Sequence, residues 1–146
     1  MVETMDRKYL AGLIDGEGCI QMRGSGSATL ILTIANTYKP IIDRLYAEFG
    51  GNIREYLDKR QLKSGRFRKP VYFWRLYGFK AEAVLRECYP YLIIKKEHVE
   101  IVLFIRSSIH MNYREVPFEE MERRKVLKAS LDKLNEKGVV SFGDSP

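Results

Sequence analysis

A chain of 146 residues is one domain by length, and 45% hydrophobic with 12% aromatic content argues for a folded globule rather than a wholly disordered chain. Net charge is +6 with an isoelectric point of about 9.3, which favours a polyanionic partner. No apolar run reaches the ~18 residues that span a bilayer, "MVETMDRK" is no signal peptide, and Cys19 and Cys88 lack any metal or redox spacing, so a soluble, intracellular protein with reduced thiols and no membrane partner is expected.

In chain order, Thr4 or Asp6 can cap a helix running to about Ile14, with Tyr9, Leu10, Leu13 and Ile14 at helical spacing. "CIQMR" then alternates, Ile20 and Met22 on one face and Cys19, Gln21 and Arg23 on the other. Gly24–Ser27 reads as a turn and "ATLILTIAN" as the returning strand, with Leu30, Leu32 and Ile34 inward and Thr29, Ile31, Thr33 and Ala35 outward. Thr37 and Pro40 open a helix carrying Ile41, Ile42, Leu45 and Phe49, closed by Gly50-Gly51. A second strand pair follows, Asn52 to Leu57 and Val71 to Tyr77. Ile53, Leu57, Tyr72, Trp74 and Leu76 should point inward, and Arg54, Tyr56, Asp58, Val71, Phe73, Arg75 and Tyr77 outward. Ala81 to Cys88 is a short helix stopped by Pro90, and Lys95 to Ser108 a further one. Pro117 starts a last helix striped by Phe118, Met121, Leu127, Leu131 and Leu134, and a flexible tail is expected from about residue 138. The order αββαββα plus trailing helices, over 1–146 as a single domain, is an α+β architecture with helices on one face of a four-stranded antiparallel sheet.

Charge concentrates on the second strand pair. From Arg54 to Lys80 nine bases (Arg54, Lys59, Arg60, Lys63, Arg66, Arg68, Lys69, Arg75, Lys80) face two acids (Glu55, Asp58), a local +7, leaving −1 for the rest of the chain. A basic strand–loop–strand beside an outward face of Gln21, Arg23, Thr29, Thr33, Arg54, Tyr56 and Arg75 suits double-stranded DNA. The strand residues would read base edges, the loop bases Lys59, Arg60, Lys63, Arg66 and Arg68 would hold phosphates, and Lys96 reads as a phosphate contact or a solvated charge.

The stretch "YLAGLIDGEGCIQ" carries the chemistry. Gly12 and Gly16 lie four apart with Ala11 beside them, leaving one helix face nearly bare, so that a second helix can approach closely. Glu17, between Gly16 and Gly18, is placed on a glycine turn where its carboxylate and neighbouring carbonyls could bind a hard divalent cation. One acid is a poor site for metal-assisted phosphodiester cleavage, but a twofold dimer through the bare face would bring a second. The dimer surface is therefore expected to comprise Tyr9, Ala11, Gly12, Asp15 and Gly16. His98 and His110 have no ligand-spaced partner.

At these residues the sequence resembles the LAGLIDADG homing endonucleases: "LAGLIDGEG" (Leu10–Gly18) departs from the family nonapeptide only by Gly16 for alanine and Glu17 for aspartate. "NTYKPIIDRLYAEFGGNI" and "YFWRLYGFKAEAVLRECYPYLIIKK" are similar to the family's segments around its second and fourth strands. Residues from about Asn112 carry no such signature. The resemblance implies that Glu17 is the metal-binding acid, with Gly16 lending its carbonyl, and that Asp15 stabilises the paired helix ends. It places Lys95 where the family often carries a basic catalytic-pocket residue, and Asn36 near a polar, water-contacting catalytic position. One-motif members are homodimers and two-motif members pseudosymmetric monomers; no second nonapeptide occurs here. The implied activity is a homodimeric, Mg²⁺-dependent endonuclease, Mn²⁺ able to substitute. It would cut both strands of a partly palindromic target of about 20 bp, leaving short 3′ overhangs, in intron or intein homing. The alternatives are an RNA-splicing maturase and a non-cleaving DNA-binding regulator on the same fold.

Overall fold

The computed structural model describes residues 3–24, 28–108 and 117–136. Asp6 caps the first helix, α1 (Arg7–Glu17), its carboxylate accepting from the Lys8 and Tyr9 amides at 2.7 and 3.2 Å. α1 runs about one turn beyond the expected end at Ile14, because the Gly18 N–H donates to the Ile14 carbonyl and closes the ladder there. A Cβ on Gly18 would sit 2.6 Å from that carbonyl oxygen, so only glycine lets the chain turn directly into a strand.

Strands β1 (Gly18–Arg23) and β2 (Thr29–Asn36) pair antiparallel, helix α2 (Lys39–Phe49) follows, and strands β3 (Asn52–Tyr56) and β4 (Val71–Tyr77) complete one sheet of order β1-β2-β4-β3. Helices α3 (Gly78–Cys88), α4 (Lys96–Ser107) and α5 (Phe118–Leu134) come after it. Gly50 and Gly51 end α2 with φ of 75° and 91°, and a Cβ on Gly51 would lie 2.3 Å from the Arg75 carbonyl oxygen. The Gly50 carbonyl in turn accepts from the buried Trp74 Nε1 at 2.8 Å.

The alternation of β1, β2 and β4 sorts their faces as expected. Ile20, Met22, Leu30, Leu32, Ile34, Trp74 and Leu76 are buried and pack in one core with Leu10, Ile14, Ile42, Leu45, Leu85 and Val102 from the helices. Ile34 opposes Trp74, which opposes Ile53, so the inward row is continuous across three strands. Several expectations are corrected. β3 stops at Tyr56, and Leu57, expected inward, is exposed. α3 begins at Gly78 rather than Ala81, and Tyr38 rather than Thr37 stands at the start of α2. Phe118 is 75% exposed, because it opens α5 before that helix reaches the domain; Leu131 is the apolar residue it buries fully. Of the expected turn Gly24–Ser27 only Gly24, at φ 72°, is described; residues 25–27 and the tail from 138 lie outside the described residues.

α5 does more than trail. Its buried Arg124 donates to the Ser108 carbonyl (3.1 Å) at the end of α4 and to Glu120 (3.2 Å). Asn135, just past its end, donates to the Ile20 carbonyl of β1 at 2.8 Å. Since β1 is an edge strand, this side chain occupies part of its outer hydrogen-bonding line. Among the described residues, no helix is long and apolar enough to cross a membrane.

Candidate nuclease and DNA interface

α1 presents two kinds of surface. Leu10, Ala11, Ile14 and Asp15 face the domain, whereas Tyr9, Gly12 and Gly16 are exposed and Leu13 half-exposed, at i, i+3, i+4, i+7 spacing. A Cβ built on Gly12 or Gly16 meets nothing within 4 Å, so nothing among the described residues requires either glycine. The expected dimer surface is corrected on two residues. Ala11 is fully buried in the core, and Asp15 is only 9% exposed, so neither lies where a second copy would meet α1.

Glu17 is the last residue of α1 rather than part of a turn, and it is exposed. It makes no ion pair or hydrogen bond within the described residues. A carboxylate at a helix C-terminus works against the helix dipole, and no basic residue stands in that last turn to offset it. The Gly16 carbonyl is among the last four that the helix itself leaves unpaired. These hard oxygen donors at a negative helix end fit a divalent cation. Among the described residues no group of three or more metal-ligating side chains exists, so one chain supplies half of such a site at most.

Asp15 turns the other way. Its two carboxylate oxygens accept from the backbone N–H groups of Ile93 and Lys95, each at 2.9 Å. Lys95, 4% exposed, stands at the start of α4, and its side chain does not cap that helix.

The sheet face away from the helices carries the expected residues in register. One cross-strand row runs Cys19, Thr33, Arg75, Asn52, a second Gln21, Ile31, Tyr77; Arg54 opposes Phe73, Tyr56 opposes Val71, and Arg23 opposes Thr29. Gln21, Arg23, Arg54 and Tyr56 are exposed, and Thr29, Thr33 and Arg75 half-buried. Ile31 lies on this face as expected yet is 2% exposed, outside the helical core and held in a central strand between Gln21 and Tyr77. The Arg75 Nε is buried with no hydrogen-bond partner.

Between β3 and β4 the basic loop is an ordered arm. Gln61 bridges to Phe67, the Leu62 amide donates to the Arg66 carbonyl at 2.7 Å, and Gly65 turns the tip at φ 81°. Lys59, Lys63, Arg66 and Arg68 are exposed on it. Arg60 is exposed too, but both its Nε and Nη2 donate to Asp58 at 3.0 and 2.9 Å, so its charge is matched inside the loop. The Arg60 side chain and amide hold the Asp58 carboxyl down, from 3.8 to about 2. A depressed carboxyl pKa contributes order above its unfolded value and loses it as pH falls through the folded one. The Asp58–Arg60 clasp should therefore persist at about pH 4 and open only near pH 2, which a carboxyl ¹³C NMR titration of Asp58 reads directly.

No protein-family model matches the sequence, and no curated protein matches it. Solved structures do. The homing endonuclease I-CvuI, in complex with its target in the presence of 2 mM Ca, aligns over 93% of this chain and 85% of its own at 18% identity and TM-score 0.66. The archaeal intron-encoded homing endonuclease I-Vdi141I, complexed with DNA, aligns over 93% and 87% at 18% identity and TM-score 0.66. The LAGLIDADG meganuclease I-AabMI, bound to uncleaved DNA, aligns over 94% of this chain and 50% of its own at 20% identity and TM-score 0.63. The chain has the LAGLIDADG homing-endonuclease fold.

Within that fold the remaining expected residues fall as follows. Asn36 ends β2 and its Oδ1 accepts from the Tyr38 amide at 2.9 Å. With Tyr9 and Leu13 it lines a groove of about 370 Å³ beside α1. Lys96 rests its ammonium 5.1 Å from the Tyr89 ring centroid. His98 is buried near the start of α4, 3% exposed. Sequence reading missed the partners of Asp15, whose only sequence signal is an acid beside the motif's glycines.

Proposed function

We propose that the chain is one subunit of a homodimeric, divalent-metal-dependent, site-specific DNA endonuclease. The observation that carries this is Glu17: an exposed carboxylate, unpaired among the described residues, at the wrong end of a helix whose neighbouring face is stripped to Gly12 and Gly16 with no reason among those residues. Two such helices packed face to face bring two Glu17 carboxylates and two Gly16 carbonyls together, which would hold the Mg²⁺. When bound, the metal neutralises developing charge on the scissile phosphate and makes a water more nucleophilic. Glu17 and Gly16 place that charge at the junction of the two subunits, Lys95 stands nearby on the chain that Asp15 holds, and Asn36 borders the same helix. In the twofold arrangement each subunit contributes equally to the shared site, which suits cleavage of both strands; short 3′ overhangs are the expected product.

The sheet face and the basic arm supply the DNA grip. Two copies should cover about 20 bp, one helical turn per half-site, on a partly palindromic target. The deciding experiment incubates the protein with a randomised duplex pool in Mg²⁺ and sequences the cut ends. Cleavage at one partly palindromic motif is expected. Tight binding to such a motif with no cleavage would establish a DNA-binding regulator instead.

Specificity should divide between sheet and arm. A buried, unsatisfied donor costs about 1–3 kcal/mol, so the Arg75 Nε has most to gain when an acceptor docks on its face. Arg75→Ala should relax preference at one position in each half-site. Lys63→Ala should weaken all sequences alike and lower the salt slope of binding by about one unit for each phosphate no longer held. Cleavage profiles over all single-base variants of the target test both, and a profile reshaped by Lys63→Ala but not by Arg75→Ala would reverse the assignment.

A further inference from the structure

α4 begins without a capping side chain of its own, at Lys95, with φ −102° and ψ 14°. Just ahead of it stands a carboxylate from an element some eighty residues earlier in sequence, Asp15, accepting from the Ile93 and Lys95 amides at 2.9 Å each. The arrangement satisfies two electrostatic needs at once. A helix N-terminus carries partial positive charge and unpaired N–H groups, and a helix C-terminus the reverse. Asp15 near the end of α1 would be unfavourable alone; against the start of α4 its charge is matched. Its burial makes both bonds count for more than they would in water.

We infer that Asp15 is a positioning residue that fixes Lys95 relative to Glu17. Asp15 and Glu17 are two residues apart on the last turn of one helix, so whatever holds Asp15 to the Lys95 amide sets the separation between the proposed metal acid and the backbone from which the proposed basic group reaches. Through the same carboxylate, the α1 face on which the subunits would pair is rigidly linked to the segment bearing Lys95. Asp15 needs no contact with DNA or metal for this. The inference rests on the nuclease reading, and the test has two arms that separate them.

The first arm needs no DNA. In Asp15→Asn an amide NH₂ replaces one acceptor, leaving one N–H without a partner. Amide hydrogen exchange at Ile93 and Lys95 should accelerate by about tenfold or more, while Leu10 and Val102 stay protected. Unchanged exchange at both positions would overturn the positioning role whatever the enzyme does. The second arm uses the duplex selected by the wild-type protein. Outer residues that orient an active group typically cost about 10–100-fold when removed, so kcat should fall by that factor with KM and duplex affinity within about threefold. In a Lys95→Met background the same substitution should cost little more, because two residues acting as one unit do not multiply. Fully multiplicative losses would show that Asp15 acts elsewhere. Wild-type protein that cuts no duplex would remove the nuclease reading and leave the first arm to decide whether Asp15 holds Lys95. Should Asp15→Asn not fold, Asp15→Glu, which keeps both acceptors at one methylene's extra reach, carries the same comparisons and should give intermediate values.

Discussion

Glu17→Gln should cut no DNA while binding the target duplex within several-fold of the parent. The substitution preserves shape and removes the charge that would hold the metal. Metal assistance is worth several kcal/mol of transition-state stabilisation, and each ~1.4 kcal/mol is tenfold in rate, so cleavage should drop by about a thousandfold or more. The same change should stabilise the fold slightly. A carboxylate at a helix C-terminus with no cation nearby opposes the dipole by about 0.3–1 kcal/mol, and Glu17 is exposed there without a partner. The expected signature is therefore a dead enzyme with an equal or higher melting temperature. A variant that cuts normally in Mg²⁺ would take Glu17 out of the chemistry, and a large loss of melting temperature would show that Glu17 is held for structure.

Gly12→Leu should yield a monomer that neither cuts nor holds a full two-turn footprint. In the single chain the position is open, with nothing within 4 Å of a built Cβ. Glycine inside a helix costs about 1 kcal/mol relative to alanine. The chain alone should thus tolerate or prefer a side chain at residue 12, and Gly12→Ala should raise its stability by roughly that amount when measured below the dimer's dissociation range. Leucine, by contrast, should drive apart two helices packed backbone to backbone. Light scattering and sedimentation, with and without duplex, give the mass directly. Wild-type protein that stays monomeric on DNA would end the symmetric-site proposal.

Much of the sheet is legible in the sequence. Strict alternation through Leu30, Leu32 and Ile34 and through Trp74 and Leu76 leaves one register that buries all of them, and the Ile34–Trp74 pairing realises it. The arm's charge and the glycine stripe are also plain, because composition and spacing are local properties. What stays hidden depends on the third dimension. Gly16 looks like a stop signal, yet α1 continues past it because the Gly18 amide still finds the Ile14 carbonyl. Ala11 is small enough to suit either side of α1, and only the packing of the core decides that it faces inward. Asp15 carries no mark of its distant amide partners, and Arg60 none of its neutralisation by Asp58, which depends on how the loop bends. Ile31 shows that a residue on the open face can still lose its water when longer neighbours flank it in a central strand.

The bond from Asn135 to the Ile20 carbonyl bears on how the protein keeps its associations apart. If the subunit pairs through α1 and lies on DNA through its sheet, as proposed, the rim of β1 is a further adhesive element, and strand rims join one another without regard to sequence. By lodging an amide side chain on the Ile20 carbonyl, the end of α5 would hinder polymerisation through that rim. Shortened versions that end before α5, attractive for engineering compact reagents, would keep every residue proposed for cutting and DNA contact but lose this guard together with the core residue Leu131. They would be expected to aggregate while every residue proposed for function remained in place.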